Sequence, residues 1–188
     1  LYTCDALSCQ EKTVNAAKSS GGDIIVQVKN NQKKLLNKCM SIAGFNSHIE
    51  ESKEPYIKAH GRIESRTAII FESENLGDKW ANVESVIKIE RDRMVFNTKT
   101  KEWEDKGETS YYISTTTPSA EVANVVIRGH WGIENKNHHV KDATMNEDFS
   151  RIRINPQNIA RLRSIALNLM RYNGVKNIEN ELYSNALD

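Results

Sequence analysis

One short segment of this chain concentrates side chains that can do chemistry. Residues 127–148 read IRGHWGIENKNHHVKDATMNED, and steps of four and seven residues place His130, Glu134, His138 and Lys141 on one side of a predicted helix. That side carries a carboxylate, two imidazoles and an amine, which together can hold a metal ion or bind a phosphate group. We therefore expect Glu134 to lie at the centre of a site.

A second carboxylate with the same potential is Asp5, which follows a short apolar start typical of a β-strand. A strand end and a helix that are far apart in sequence can bring two hard oxygen ligands to one magnesium site. Two metal ions about 3.5 to 4 Å apart can then activate a water or a 3′-hydroxyl and stabilise the leaving oxygen of a phosphodiester. Asp5 and Glu134 are the predicted catalytic residues and Mg²⁺ (or Mn²⁺) ligands. The competing interpretation is that each is a solvated surface charge.

Two further interpretations of the helix remain open. His130, Glu134 and His138 share one side and could ligate zinc. The usual helical zinc signature, however, spaces its two histidines only four residues apart, with the acid beside the first. In the other interpretation, His130 and Trp131 pack beneath a sheet and His138 is solvated, so that no ligand is involved.

Arginines form two more patterns. In residues 60–66, HGRIESR, alternation puts His60, Arg62, Glu64 and Arg66 on one side of a strand. Such a row can present guanidinium groups to successive phosphates, and a cross-strand ladder of ion pairs is the competing interpretation. A second group has the same ambiguity and lies towards the C-terminus: Arg151, Arg153, Arg161, Arg163 and Arg171.

The bulk composition narrows the class of protein. The 188 residues allow one ordinary domain or a core with an insertion. Lys plus Arg number 26 and Asp plus Glu 25, so the net charge of +1 does not itself indicate a nucleic-acid partner. Three cysteines without a CxxC pair favour a reducing cytosol over a disulfide scaffold. Because no apolar run approaches the roughly 20 residues needed to cross a bilayer, we expect a cytoplasmic protein without a membrane partner.

The first part of the chain predicts an α/β crossover. Residues 8–20 have a helical pattern that ends at a Gly-Gly pair, and residues 23–29, DIIVQVK, form the clearest strand in the sequence. Together with the short strand before Asp5 they give strand, helix and strand in about 30 residues. A second helical pattern follows at residues 31–43.

The middle of the chain has a different character. Residues 56–115 alternate charged or turn-prone links with four short β-type segments, at 66–71, 83–90, 94–97 and 110–114. Helical signals return at residue 117 and predict a helix to about His139. A last helix is predicted from Pro156 to about Tyr172, with apolar residues at helical spacing: Ile159, Leu162, Ile165, Ala166, Leu169 and Met170.

Five motifs follow one another along the chain. They are DALSCQEKT from Asp5, GDIIVQVKNNQ from Gly22, HGRIESR from His60, HWGIEN from His130 and NEDFSR from Asn146. In this order they resemble the catalytic half of bacterial insertion-sequence transposases of the DDE type, and most closely the H-repeat-associated branch. The resemblance covers nearly the whole chain, and five ordered motifs are far more specific than any one of them.

The resemblance implies a fold. Members of this family have a ribonuclease H-like α/β catalytic core, and in many relatives a β-rich insertion precedes the helix that bears the catalytic Glu. The expected organisation is a first part of the core at residues 1–50, the β-rich insertion at 51–116, and a second, helical part of the core at 117–188. The first strands of the core are expected to lie outside this chain.

The resemblance also implies roles for individual residues. Asp5 takes the place of the second acid of a metal-binding triad and Glu134 that of the third. Lys141 stands where relatives carry a basic residue two turns beyond the Glu, and His130 where some relatives carry Arg. The DNA contacts that we expect are Lys141, His130, Arg62, Arg66 and Arg128. The implied partner is double-stranded DNA, at transposon ends and target, with two copies of the chain on it in the bacterial nucleoid.

The first acid of the triad is expected upstream of Leu1, and Asp23 begins the wrong strand to replace it. Since a two-metal site without one carboxylate binds metal poorly, the isolated fragment is expected to be inactive. Two hypotheses are open: a fragment of a transposase that catalyses metal-dependent DNA strand cleavage and transfer, or a catalytically inactive remnant that at most binds DNA. A reading frame that continues upstream to a strand ending in Asp favours the first hypothesis, and a start codon close to Leu1 favours the second.

Overall fold

The computed structural model describes residues 1–59, 61–74 and 76–187. The side chains of Ala59, Glu134 and Asn135 lie outside the described part, as does His60, which the sequence placed at the head of the arginine row. The chain divides into two compact units, Leu1–Arg128 and Gly129–Asp188, and each is described by itself.

The first unit begins with the predicted crossover. Strands β1 (Tyr2–Cys4) and β2 (Ile24–Val28) pair in parallel, and helix α1 (Glu11–Ser19) connects them. β2 is rich in β-branched residues, which pack well on a pleated sheet, and four of its five residues are buried. The prediction of a strand, a helix and a parallel strand is therefore confirmed.

Six further strands of the described chain join the same sheet. After helix α2 (Lys33–Phe45) come β3 (Glu50–Lys53), β4 (Ile57–Ala59), β5 (Arg62–Glu72), β6 (Ser85–Asn97), β7 (Glu102–Asp105) and β8 (Glu108–Ser114). The sheet order is β1-β2-β8-β6-β5-β3, with β4 beside β5 and β7 beside β6. Because β8 pairs antiparallel with β2, the β-rich middle of the chain extends the sheet of the crossover. Its assignment to residues 51–116 as an insertion stays a prediction.

Helices cover both faces of this sheet. On one face, α1 and α2 contribute Val14, Leu35, Cys39 and Ile42 to a core with Ile24, Val26, Val28, Val86 and Ile113. On the other face, helix α3 (Ala120–Ile133) contributes Ala120, Ala123 and Ile127 to a core with Ile25, Ala68, Ile70, Ile87 and Ile89. Successive residues of a strand point to opposite faces, so Ile24 and Ile25 belong to different cores. The predicted mixed α/β class is confirmed.

The second unit is helical and starts within α3. Beyond Ile133 the backbone changes to two π-helical segments, Glu134–His138 and Val140–Thr144. Helices α4 (Pro156–Tyr172) and α5 (Ile178–Leu187) follow, and both contact the second π-helical segment. The last predicted helix thus has the bounds expected from its early proline and its apolar spacing.

One expectation for the helical part was wrong in detail. A regular helix to about His139 was expected, but the α-helical backbone ends at Ile133. Among the apolar residues at helical spacing in α4, Leu162, Ile165 and Leu169 remain 59%, 55% and 57% exposed. Helical spacing identifies the residues that share a side but not the elements that cover them. Across the described ranges, no helix is both long and apolar enough to cross a membrane.

Candidate active site and basic residues

Asp5 lies directly after β1, at the carboxyl end of that strand. Its backbone is extended (φ −73°, ψ 175°) and its side chain caps the short 3₁₀ helix Ala6–Ser8. The backbone N–H and the hydroxyl of Ser8 donate hydrogen bonds to Oδ1 of Asp5, at 3.2 and 3.3 Å. These bonds fix an exposed carboxylate at the strand end, which is the position predicted for it.

Two side chains that follow β2 tie down the loop after Asp5. Nδ2 of Asn31 donates to the carbonyl oxygen of Ala6 at 2.5 Å, and Nε2 of Gln32 donates to that of Cys9 at 2.9 Å. Cys9 is fully buried in the core beneath. These hydrogen bonds join the loops that follow the two parallel strands. They therefore hold the backbone around Asp5 in place and restrict the direction of its carboxylate.

The chemistry of Asp5 suits a magnesium ligand. Both hydrogen bonds described for its carboxylate use Oδ1, so Oδ2 keeps its lone pairs for a hard cation. Burial raises the pKa of the neighbouring Cys4 thiol and the negative charge of Asp5 raises it further, while a hydrogen bond with Ser8 lowers it. Among the described side chains, no three of His, Cys, Asp or Glu lie close enough to hold a metal ion. The side chain of Glu134 lies outside that description, so its pairing with Asp5 at one metal ion stays a prediction.

Asp23 occupies the opposite end of the parallel strands from Asp5. It precedes Ile24, the Cα partner of Tyr2, whereas Asp5 follows Cys4, the partner of Val26. Lys18 Nζ contacts Oδ1 of Asp23 at 3.1 Å, and the Thr115 hydroxyl donates to the same oxygen. Those hydrogen bonds lower the pKa of Asp23, and they give it a structural role at the start of β2. Asp23 therefore lies at the end of the parallel pair away from Asp5.

The spacing of a regular helix does not apply to the residues that follow Ile133, because the backbone there is π-helical. A π-helix closes hydrogen bonds five residues apart rather than four. His138 is exposed, as the solvated interpretation expected, and His130 and Lys141 are partly buried. Trp131, which that interpretation placed beneath a sheet, is 41% exposed. The zinc hypothesis requires the side chain of Glu134 and therefore stays a prediction. Such π-helical turns inside helices are frequent at functional sites.

Arg62 and Arg66 are on one side of β5, as predicted, and they share the carboxylate of Glu64. Nε of Arg66 lies 3.2 Å from Oε1 of Glu64, and Nε of Arg62 lies 3.8 Å from Oε2. The side chain of Arg66 is only 11% exposed, against 46% for Arg62. The cross-strand interpretation is thus part of the structure, because Nη2 of Arg91 on β6 donates to Oε2 of the same Glu64 at 3.2 Å.

The neighbouring arginines change the pKa of Glu64. Burial acts to raise it, but the hydrogen bond and charge of Arg91 and the charge of Arg66 outweigh burial. The pKa of Glu64 is therefore lowered from its ordinary 4.5. Glu64 is a charged group at neutral pH, held by guanidinium groups from two adjacent strands.

Arg128, the last residue of the first unit, makes an ion pair. Its Nη1 lies 3.0 Å from Oε2 of Glu54, and its side chain is half exposed. Beside it, Nδ2 of Asn124 donates to the carbonyl oxygen of Ser52 at 3.1 Å. These bonds fasten α3 to the segment around β3. A role of Arg128 in DNA binding stays a prediction.

Two arginines of the same sheet face, Arg91 and Arg93, were missed from the sequence. The pattern predicted separate strands at 83–90 and 94–97, with residues 91–93 as a link, whereas β6 runs unbroken through Ser85–Asn97. The alternation Arg91-Asp92-Arg93 within a β-type stretch was the signal that could have revealed them.

A comparison with known families identifies the chain. The family pattern described as "Transposase DDE domain" matches residues 1–171. The chain belongs to the DDE transposase family. The resemblance expected from the five motifs is confirmed.

Relatives of this DDE-family chain come from Escherichia coli. "Putative protein YbfL" of strain K12 is 31% identical over 180 residues, which cover 90% of this chain and 47% of the relative. "Putative transposase YncI" of strain O157:H7 is 32% identical, over 91% of this chain and 45% of the relative. "H repeat-associated putative transposase YhhI" of strain K12 is 31% identical, over 90% and 47%. The chain thus spans about half the length of these relatives. No solved structure matches it significantly.

Proposed function

We propose that this chain forms the catalytic part of a transposase that cleaves and rejoins DNA strands with a divalent metal ion. The observation that carries the proposal is the position of Asp5 in a DDE-family chain: an exposed, hydrogen-bonded carboxylate at the carboxyl end of a parallel strand. Asp5 and Glu134 are the proposed catalytic residues and ligands of Mg²⁺ or Mn²⁺. A bound metal ion would supply the charge that activates the attacking oxygen and stabilises the leaving one.

The chain's own residues have supporting tasks in this proposal. Ser8 orients Asp5 through the two bonds to Oδ1, and Asn31 and Gln32 keep the loop in place. A ligand that is already oriented loses little freedom when the ion binds, and this favours tight and well-defined coordination.

The fold proposed for the whole catalytic part is ribonuclease H-like. The parallel pair β1 and β2 with its crossover helix, and helices on both faces of the sheet, support this assignment. In the proposal, residues 51–116 are the insertion that separates β2 from the helix bearing Glu134.

The proposed substrate is double-stranded DNA, at transposon ends and at the target, bound by two copies of the protein. Family membership supports it, and so does the set of basic side chains predicted to contact phosphates: Lys141, His130, Arg62, Arg66 and Arg128.

The test is a strand-cleavage assay on transposon-end DNA with Mg²⁺ or Mn²⁺. The chain is assayed alone and as part of any longer reading frame that contains it. We expect cleavage by the longer protein, and we expect Asp5→Asn or Glu134→Gln to abolish cleavage while duplex binding persists, because a neutral carboxamide binds Mg²⁺ much more weakly than a charged carboxylate.

Two matched controls make the assay specific. Asp23→Asn removes a carboxylate at the other end of the parallel strands, and Glu121→Gln removes one in the first turn of α3. Both should leave cleavage unchanged in folded protein. Full activity of Asp5→Asn would overturn the site assignment, and a longer protein that binds DNA but never cleaves it would support the inactive remnant instead.

A further inference from the structure

Four arginines project from one sheet face at the outer ends of β5 and β6. They are Arg62 and Arg66 on β5 and Arg91 and Arg93 on β6, and we call them, with Glu64 among them, the arginine face. In the register of the two strands Arg66 lies opposite Arg91, and Glu64 lies opposite Arg93. Neighbours in this register have side chains on the same face of the sheet.

The arginine face carries more positive charge than its described acids neutralise. Glu64 is shared by Arg62, Arg66 and Arg91, and the further acid paired with the face is Glu108, 3.6 Å from Arg91 and 60% exposed. Arg66 and Arg91 are like charges placed directly opposite each other, an arrangement that opposes sheet formation. A row of ion pairs built for stability alone would alternate the two signs across the strands.

Two guanidinium groups of this face also have buried donors without an acceptor. Among the described residues, Nε of Arg91 and Nε of Arg93 are buried and make no hydrogen bond. No ion pair of the Arg93 side chain is found within the described part, although Glu64 lies opposite it. Buried donors of a charged group normally have an acceptor, so the protein satisfies these two guanidinium groups less fully than a purely structural network would.

We propose that the arginine face binds successive phosphate groups of a DNA strand, with Glu64 holding the guanidinium groups in place until phosphates replace it. That the polyanion is DNA rests on the proposed function. That a polyanion binds here at all rests on the grouping of four arginines on one sheet face. Planar guanidinium groups bind phosphate oxygens bidentately, and several of them side by side fit a repeated anion better than a single carboxylate.

The experiment measures binding of a labelled DNA duplex by the full chain, by fluorescence anisotropy, across about 50 to 200 mM salt. Arg93→Ala removes a guanidinium without a described ion pair, so the fold should tolerate it. We expect about ten-fold weaker binding and a salt slope reduced by about one. Arg91→Ala should have the same effect. Arg93→Lys, which keeps the charge but not the planar fork, should restore the salt slope and only part of the affinity.

Lys58→Ala is the matched control for charge. Lys58 lies on neighbouring β4, but on the other face, since its Cα partner is Ile63 whereas Arg62 pairs with the next residue of β4. It is exposed and its Nζ lies 5.9 Å from the ring centroid of Trp103. This variant should leave both affinity and salt slope unchanged.

Glu64→Gln distinguishes a role of the arginines in DNA binding from a purely structural role. If Glu64 competes with phosphate, its replacement should tighten DNA binding several-fold at low salt, even though it weakens the fold. If the network is only structural, DNA affinity should stay the same or fall. Thermal unfolding of each variant shows whether the protein is folded under the binding conditions.

Each outcome has one meaning. Unchanged binding by folded Arg91→Ala and Arg93→Ala overturns the inference. An unaltered chain that binds no duplex also overturns it, as does one that binds a labelled acidic polypeptide more tightly than DNA in the same assay. Cleavage that is lost in Asp5→Asn and kept in the arginine variants would leave the proposed function standing without this face. Loss of binding only in the arginine variants, with no cleavage by any protein, would support the face and contradict the enzyme.

Discussion

The same two strands carry two very different halves of one sheet face. In the inner half, Ala68 and Ile70 of β5 and Ile87 of β6 are fully buried. In the outer half the same alternation brings up arginines, whose side chains are partly exposed. The difference is the cover: α3 packs three apolar residues on the inner half. The two halves share the same backbone geometry. Apolar residues stand where a helix covers the strands, and charged residues stand where it does not.

The two halves are stabilised in different ways. The inner half gains free energy from removing apolar surface from water, at about 25 cal/mol per Å². The outer half depends on one carboxylate that offsets the repulsion of several guanidinium groups, and such networks contribute little net free energy. A surface of this second kind contributes less to stability and is better suited to bind an anion.

Disturbing the packing of the inner half should lower the stability of the protein most. Ile87→Ala truncates a fully buried side chain in the core beneath α3, and the lost burial plus the cavity should lower the free energy of unfolding by about 2 to 5 kcal/mol. The measurement is urea unfolding followed by circular dichroism. Ile87→Val is the matched control, with an expected loss of about 0.5 to 1.5 kcal/mol. Equal losses for both variants would contradict the view that this half is tightly packed.

A smaller effect is expected from the outer half. Glu64→Gln removes the charge that holds Arg66 and Arg91, and the free energy of unfolding should fall by about 1 to 2 kcal/mol at neutral pH, discounted for partial exposure. The pKa of Glu64 is lowered from 4.5 in the folded protein, so its contribution is complete above that value and is lost as pH falls through the lowered pKa. The gap between the two proteins should therefore close under acid conditions, and should stay constant for Ile87→Ala.

The smallest change in stability is expected where β6 pairs with β7. Phe96 of β6 and Trp103 of β7 are Cα partners, with ring centroids 5.4 Å apart in an edge-to-face arrangement. A double-mutant cycle with Phe96→Ala and Trp103→Ala should give a coupling energy of about 0.5 to 1.5 kcal/mol. A coupling energy near zero would show that the contact between the two rings does not stabilise this hairpin, unlike the packed side chains of the inner half.

Much of the fold could be predicted because its signals are local. The β-branched run of β2 and the proline at the start of α4 identified those elements, and the bounds of α4 agree with the structure. Asp5 was placed correctly at a strand end because a short apolar run preceded it. Arg62, Glu64 and Arg66 were placed on one side of a strand by simple alternation.

Other features could not be predicted because they depend on distant residues. The position of Arg91 opposite Arg66 is set by the β5–β6 register, and the sequence pattern broke β6 into two strands at that very point. The π-helical backbone after Ile133 cannot be inferred from helical spacing, which assumes a regular helix. The exposure of Leu162 and Ile165 was missed for a similar reason, since spacing does not say what lies opposite a helix.

The family, the α/β class and the residue types of the candidate site could be inferred from the sequence alone, because motifs and periodicity are properties of neighbouring positions. Which strands pair, and thereby which charges meet, depends on the tertiary structure. It joined Glu64 to arginines of two strands, brought Arg93 into the same face, and tied the loop of Asp5 to the end of β2. The physical reason is that strand pairing is a non-local choice, made by the burial of both sheet faces at once.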